Sequence, residues 1–389
     1  MKSLEIFSGA GGLAKGLELA GFEHSAFVEF NRDACASLRK NFDPSKVFFG
    51  DIRDFDLGLA EGTDIVAGGP PCQPFSLGGK HGADKDDRDM FPYAIRAIER
   101  IRPKAFVFEN VKGLLRASFA EYFDYILSRL ANPLAQQQQE ESWQAHNQRL
   151  KKLKGHGAAE TRYRVSWQLL NAADYGVPQC RERVVIVGIR EDLPLDWQFP
   201  EATHSEDRLL WEQFVTGEYW ARHHVAGCKS TMDKPQQEHL RRLQQRYGMF
   251  EPEALAWQTV RDALAGVPDP RLHNHTGDHI FRDGARSYPG HTGSALDWPA
   301  KTLKAGGHGV PGGENMLRNL DGSVRYFTVL EAKRIQTFPD HFAITGAWGE
   351  AMRQIGNAVP VRLGEVIGRQ LYQHLETTKK MQMETACSA

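Results

Sequence analysis

Leu4-Glu5-Ile6-Phe7-Ser8-Gly9-Ala10-Gly11-Gly12-Leu13 decides how this chain is read. Its first residues are β-rich and apolar, a glycine-rich turn follows, and Leu13, Leu17 and Ala20 then recur at helical spacing until Gly21 closes the helix. Strand, glycine turn and helix in that order form the unit that brings a ligand against bare backbone at a helix N-terminus. Further short apolar runs at Ser25–Val28, Val47–Phe49, Asp64–Ala67, Ala105–Phe108, Val165–Leu170 and Arg183–Ile189 read as strands. Met90, Ala94, Ala97, Ile98 and Ile101 supply a helix between two of them, stopped by Pro103. Strands that alternate with helices and are apolar on both faces predict an α/β, Rossmann-like fold, a mostly parallel sheet with helices on both sides.

Two stretches break this alternation. Residues 131–160 hold Gln136–Gln139 and the basic run Arg149–Lys154, and read as a polar insertion with some helix. Residues 195–324 are rich in Gly, Pro, His and Trp and read as a separate, smaller domain. The expected organisation is therefore a catalytic unit over 1–194, the irregular domain over 195–324, and a return to the catalytic unit over 325–389. In that last part Thr328 and Glu331 have capping-box spacing, a helix begins near Pro360, and the tail beyond Lys379 is expected to fray.

The bulk composition narrows the class without naming a function. The chain has 389 residues, 41% hydrophobic and 25% charged, as in a globular protein with a sizeable core. Its apolar runs are too short to span a bilayer, and no signal peptide is evident, so a cytoplasmic location is expected. Five cysteines without a CxxC pair indicate reduced thiols. The net charge of -1 means that any nucleic-acid surface must be a local cluster of cations.

Four groups of residues carry chemistry. Glu29 lies 20 residues beyond Gly9, where a carboxylate accepts hydrogen bonds from ribose hydroxyls. The turn is Phe-x-Gly-x-Gly and lacks the pyrophosphate-cradling GxGxxG, which favours a nucleoside without a diphosphate, such as S-adenosylmethionine, over a nicotinamide dinucleotide. Asp51 and Ile52 could flank the adenine. Next, Gly68-Gly69-Pro70-Pro71-Cys72-Gln73-Pro74-Phe75-Ser76 is a stiff turn that presents one thiol, with Gly78, Gly79 and Gly82 as hinges beyond it. Third, Glu109, in Phe108-Glu109-Asn110-Val111, ends an apolar strand, and a carboxyl group in such a low dielectric suits proton donation to a ring nitrogen. Last, Arg181 and Arg183 could grip a phosphate and a base oxygen.

In this order the motifs resemble the cytosine-5 DNA methyltransferases. The resemblance takes in the Phe7–Leu13 turn, Glu29, Asp51, Pro70–Ser76, Glu109-Asn110-Val111 and Gln179-x-Arg181-x-Arg183. It continues through Arg325-x-x-Thr328-x-x-Glu331-x-x-Arg334-x-Gln336-x-Phe338-Pro339 and closes with Gln354-Ile355-Gly356-Asn357-Ala358-Val359-Pro360. It covers residues 1–190 and 325–375; the segment between corresponds to the family's variable target-recognition domain. The resemblance implies Cys72 as nucleophile, Glu109 at the base N3, and Arg183 at O2, with Arg181 on a nearby phosphate or loop group. S-adenosylmethionine would be held by Phe7, Gly9, Gly11, Leu13, Glu29, Asp51, Ile52, Pro70, Asn357 and Val359. It further implies a double-stranded DNA substrate with a flipped target base, a monomer of the bacterial or phage restriction-modification type, and a cognate restriction endonuclease acting on the same site.

Other readings compete. Family members that methylate tRNA carry a Cys-Phe-Thr motif, which this sequence lacks. A non-catalytic DNA-binding relative would have lost Cys72, Glu109 or Arg183. In the variable segment, Arg222, Lys229, Lys234, Arg241, Arg242, Arg246, Lys301, Lys304 and Arg318 could contact phosphates, while loops around His308 and Asn315 could read bases. His273, His275 and His279 lack the cysteines or fourth ligand of a zinc site, so no metal is expected.

Overall fold

The computed structural model describes residues 1–71, 89–153, 158–225, 232, 234–272, 277–305 and 315–388. The centre is a seven-stranded sheet of β1 (Lys2–Ile6), β2 (Glu23–Glu29), β3 (Val47–Phe49), β4 (Ile65–Gly68), β5 (Ala105–Val111), β6 (Tyr163–Asn171) and β7 (Glu182–Arg190). Its order is β3-β2-β1-β4-β5-β7-β6, parallel except for β7, which runs antiparallel to both neighbours. This is the mostly parallel, Rossmann-like arrangement expected from the sequence. Leu4, Ile6, Val66, Phe106 and Phe108 pack on one face, and Ile65, Ala67, Ala105, Val107 and Val187 on the other, so both faces are core.

Helices α1 (Gly12–Leu19), α2 (Arg32–Asn41), α3 (Phe91–Ile101), α4 (Ala120–Ala131) and α5 (Trp143–Lys152) follow in the first half. The last of these lies within the polar insertion, yet its inner side is not solvated. Trp143 meets the rings of Tyr122 and Tyr125, Leu150 is buried, and buried His146 bonds Tyr125 Oη at 2.9 Å. The described residues of the intervening part form α6 (Glu206–Trp211), α7 (Glu218–Arg222), α8 (Lys234–Tyr247) and α9 (Val260–Ala263), with short strands β8 (His204–Ser205), β9 (Leu255–Ala256), β10 (Ser294–Ala295), β11 (Met316–Arg318) and β12 (Val324–Tyr326).

The chain then returns through α10 (Val329–Ile335), α11 (Trp348–Asn357) and α12 (Val361–Ser388). Thr328 and Glu331 form the reciprocal capping box, and Arg325 grips Glu331 through two bonds of 2.7 and 2.6 Å. The tail differs from expectation: beyond Lys379 it continues as helix to Ser388. Helix α12 lies directly on α1, and glycines permit the approach. A Cβ on Gly16 would stand 2.5 Å from Glu365 N, and one on Gly368 2.9 Å from the Ala20 Cβ.

Candidate active site

The carboxyl ends of the six strands that run the same way all lie at one edge of the sheet. From β1 the chain order runs outward in both directions, through β2 on one side and β4 on the other, so the crevice between β1 and β4 is the switch point where α/β folds bind ligands. Phe7 (φ 53°), Gly9 (φ 54°) and Gly11 (φ 88°) turn the chain there in the left-handed region, a costly conformation for Phe7. Glu29, at the end of β2, accepts Gly9 N–H on one oxygen and Asn31 N–H on the other, each at 2.7 Å. Burial pushes its carboxyl group above the usual range, against the opposing pull of these backbone amides.

The C-terminal segment completes this turn. Val359 O and the Ala358 Cβ would stand 2.2 and 3.2 Å from a Cβ on Gly12, while Leu13 and Val359 are buried and Asn357 is exposed. Gly12→Ala is therefore expected to push the 358–359 segment off the turn, costing about 1–3 kcal/mol of stability and weakening cofactor affinity. Thermal melts with and without S-adenosylmethionine check this; an unchanged ligand-induced shift would contradict it.

Just after β3, Asp51 accepts Arg53 N–H and forms a bidentate pair with the Arg53 guanidinium at 2.9 and 2.7 Å, which holds the carboxyl group low. Ile52 is buried in the main core. Phe30 and Phe49, which none of the glycine, carboxylate or arginine motifs includes, are 75% and 51% exposed at the ends of β2 and β3. Their signal was local: an aromatic residue at the point where a buried strand leaves the core.

Pro70 and Glu109 come together beside the crevice. Asn110 Nδ2 donates to Pro70 O at 2.9 Å, and a Cβ on Gly69 would lie 3.5 Å from Glu109 Oε2. Met90 N–H donates to Pro71 O at 3.1 Å. Cys72, and with it Gly78, Gly79 and Gly82, lies outside the described residues, directly after this anchored pair of prolines. Arg183 reaches Glu109 from the adjacent antiparallel strand. Its Nε stands 2.6 Å from Glu109 Oε1, and both side chains are nearly buried. A guanidinium and a carboxyl group thus stand side by side next to the proline turn, a pair able to address two neighbouring polar atoms of one ring.

Arg181 occupies a different place. Its side chain is wholly buried and donates to Leu303 O (2.9 Å), Gly356 O (2.8 Å) and Ala358 O (3.0 Å). A group so enclosed has no exposed face for a DNA phosphate. Of the two partners anticipated for it, a phosphate or a loop group, the structure supplies the loop. Asn315, expected near a base-reading loop, is also buried, and its amide is bonded to both the N–H and the C=O of Lys304. His308 lies outside the described residues, as do His273, His275 and Lys229. His279 is bonded to Thr328 Oγ1 and Pro268 O, each at 2.9 Å, a structural use of both ring nitrogens. Among the described residues no cluster of three metal-ligating side chains occurs, and no helix is long and apolar enough to cross a membrane.

The chain is similar to known proteins in sequence and in fold. The model of a family described as C-5 cytosine-specific DNA methylase matches residues 1–133 and 134–373. The Type II methyltransferase M.NgoMIV of Neisseria gonorrhoeae is 31% identical over 377 residues, covering 96% of this chain and 98% of its own. M.Sau96I of Staphylococcus aureus, also a Type II methyltransferase, is 30% identical over 385 residues, covering 95% and 75%. Among solved structures, the Dnmt2 methyltransferase of S. pombe superposes with a TM-score of 0.56 at 18% identity, covering 97% of this chain and 99% of its own. The methyltransferase EhMeth of Entamoeba histolytica gives 0.54 at 16%, covering 96% and 97%. At such identities these two structures speak for the fold alone.

Proposed function

This chain belongs to the C-5 cytosine-specific DNA methylases, and from that membership we propose that it methylates C5 of one cytosine within a specific duplex DNA sequence, with Cys72 as nucleophile. The observation that carries the reading is the Glu109–Arg183 pair beside the Pro70-Pro71 turn. The methyl donor is S-adenosylmethionine, and the crevice fits it. Glu29 offers a carboxylate to a ribose diol, the glycine turn admits close approach, and Phe30 and Phe49 offer apolar faces near the adenine end. When bound, it supplies an electrophilic methyl group.

The residues then divide the work. The Cys72 thiolate adds to C6, forming a C–S bond and shifting electron density to C5. Glu109 donates a proton or hydrogen bond to N3, which offsets the negative charge that develops opposite the attack. Arg183 holds O2 and keeps the Glu109 carboxyl group in place. After C5 is methylated, loss of the C5 proton to a base expels the thiolate and restores the ring. A stacked base offers no route to C6, so the cytosine is flipped out of the duplex. Arg181 acts on protein carbonyls and positions this machinery without touching the substrate.

The segment 195–324 serves as the target-recognition domain, and the protein works in the cytoplasm as a monomer, alongside a restriction endonuclease with the same site. A DNA substrate in preference to tRNA is supported by Type II relatives that match nearly the whole chain. Bisulfite sequencing of plasmid from cells expressing the protein should show unconverted cytosines within one recurring short sequence. Complete conversion throughout would overturn the reading.

A proton linkage follows from Glu29. Burial holds its carboxyl group above the usual range in the free protein, and two ribose hydroxyls donating to it would favour the charged form. Cofactor binding at mildly acidic pH is thus expected to release protons, with affinity falling as pH drops through the raised pKa. Titration calorimetry in buffers of different ionisation enthalpy reads this directly; a binding heat independent of buffer would contradict it.

A further inference from the structure

Arg181 is the largest fully buried side chain among the described residues, and its hydrogen-bond partners are backbone carbonyls only. A buried cation is expensive, and an uncharged side chain could have filled the space. What only a guanidinium offers is a planar fork that holds several acceptors in fixed relation.

The acceptors belong to two different parts of the molecule. Leu303 O lies in the later part of the recognition segment, whose backbone there is paired with Pro178-Gln179-Cys180. Cys180 N–H donates to Ala300 O at 2.8 Å, Ala300 N–H to Pro178 O at 2.9 Å, and Leu303 N–H to Gln179 Oε1 at 2.9 Å. One residue on, the Lys304 backbone is bonded to the Asn315 amide at 3.0 and 2.9 Å, which draws residues 304 and 315 together. Gly356 O and Ala358 O, on the other side, belong to the segment that rests on Gly12 of the cofactor turn. The two parts also touch directly, since a Cβ on Gly356 would lie 2.5 Å from Ala305 N and Lys304 C. An unbroken series of contacts therefore runs from Asn315 through Lys304, Leu303 and Arg181 to Ala358, Val359 and Gly12.

We propose that Arg181 is a positioning residue that couples the recognition segment to the cofactor turn, so that DNA and cofactor each strengthen the binding of the other. The proposal rests on the reading of 195–324 as the DNA-binding part. A shift of the Leu303–Ala305 backbone on DNA contact reaches Gly356 and Ala358 through the rigid fork. By linkage, the gain in cofactor affinity caused by DNA equals the gain in DNA affinity caused by cofactor.

The experiment measures the dissociation constant of S-adenosylhomocysteine by calorimetry, alone and with saturating duplex carrying the sequence found by bisulfite mapping. For the natural protein the ratio of the two constants is expected to be about 5 to 150. Arg181→Lys keeps the charge and loses the fork, and should bring the ratio close to one. Gly356→Ala leaves Arg181 intact but pushes the 304–305 backbone away, and should do the same. Because the readout is a ratio for one protein, a general loss of stability does not mimic it. A ratio of one in the natural protein, or an undiminished ratio in whichever variants fold, overturns the proposal. The bisulfite mapping tests the DNA reading by itself, so the two failures are distinct results.

Discussion

Cys72→Ser should abolish methylation, by on the order of 10⁴-fold or more, while S-adenosylmethionine binds nearly as before. The two halves of this result have separate causes. A thiol near neutral pH supplies a usable fraction of thiolate, whereas a serine hydroxyl without an adjacent strong base does not. Without addition at C6, C5 stays too electron-poor to accept a methyl group. The cofactor turn is built elsewhere, from bonds among Ser8, Gly9, Gly11, Glu29 and Asn31, none of which involves the proline turn. Transfer of radiolabelled methyl to duplex DNA, beside calorimetric titration of the cofactor, separates the effects. Methylation by the serine variant at the natural rate would refute the assignment of the nucleophile.

Glu109→Gln has the second largest expected effect, a loss of about 10²–10⁴ in the methyl-transfer rate. The replacement is nearly isosteric and can still meet a ring nitrogen, but it cannot hand over a proton. It also turns the 2.6 Å contact with Arg183 from an ion pair into a neutral one, leaving a nearly buried guanidinium without its counter-charge. That change should lower stability by about 1–3 kcal/mol. Single-turnover rates at saturating DNA and cofactor isolate the chemical step. A rate within a few-fold of the natural enzyme would show that N3 is activated by some other group.

The sheet was legible because its runs are short and mostly apolar, with β-branched or aromatic residues in each, and because the intervening segments have helical periodicity. The capping box at Thr328 was equally readable, since its two bonds need only a fixed three-residue spacing. The direction of β7 was not, because an apolar strand such as Val184–Ile189 has the same composition whichever way it runs. The two arginines show where pattern reading fails. Spacing of two on a strand places side chains on one face, but β7 begins at Glu182, so Arg181 precedes the regular alternation. Arg183 turns to Glu109, whereas Arg181 turns inward to carbonyls more than a hundred residues away in sequence. Asn315 misled for a related reason: a polar residue in a loop was expected to face a ligand, and its amide instead completes a buried backbone. The polar insertion hid a packed helix because Trp143 and Leu150 are sparse among glutamines and basic residues.

A duplex in which the target cytosine carries fluorine at C5 tests the transient carbon–sulfur bond most directly. Fluorine cannot leave as a cation, so after addition and methylation the ring has no proton to lose and the thiolate cannot depart. Incubated with S-adenosylmethionine, the enzyme should form a stable protein–DNA adduct, and mass spectrometry should locate it on the peptide containing Cys72. Active enzyme that turns over ordinary DNA yet forms no adduct with the fluorinated duplex, or forms one at another residue, would contradict the account.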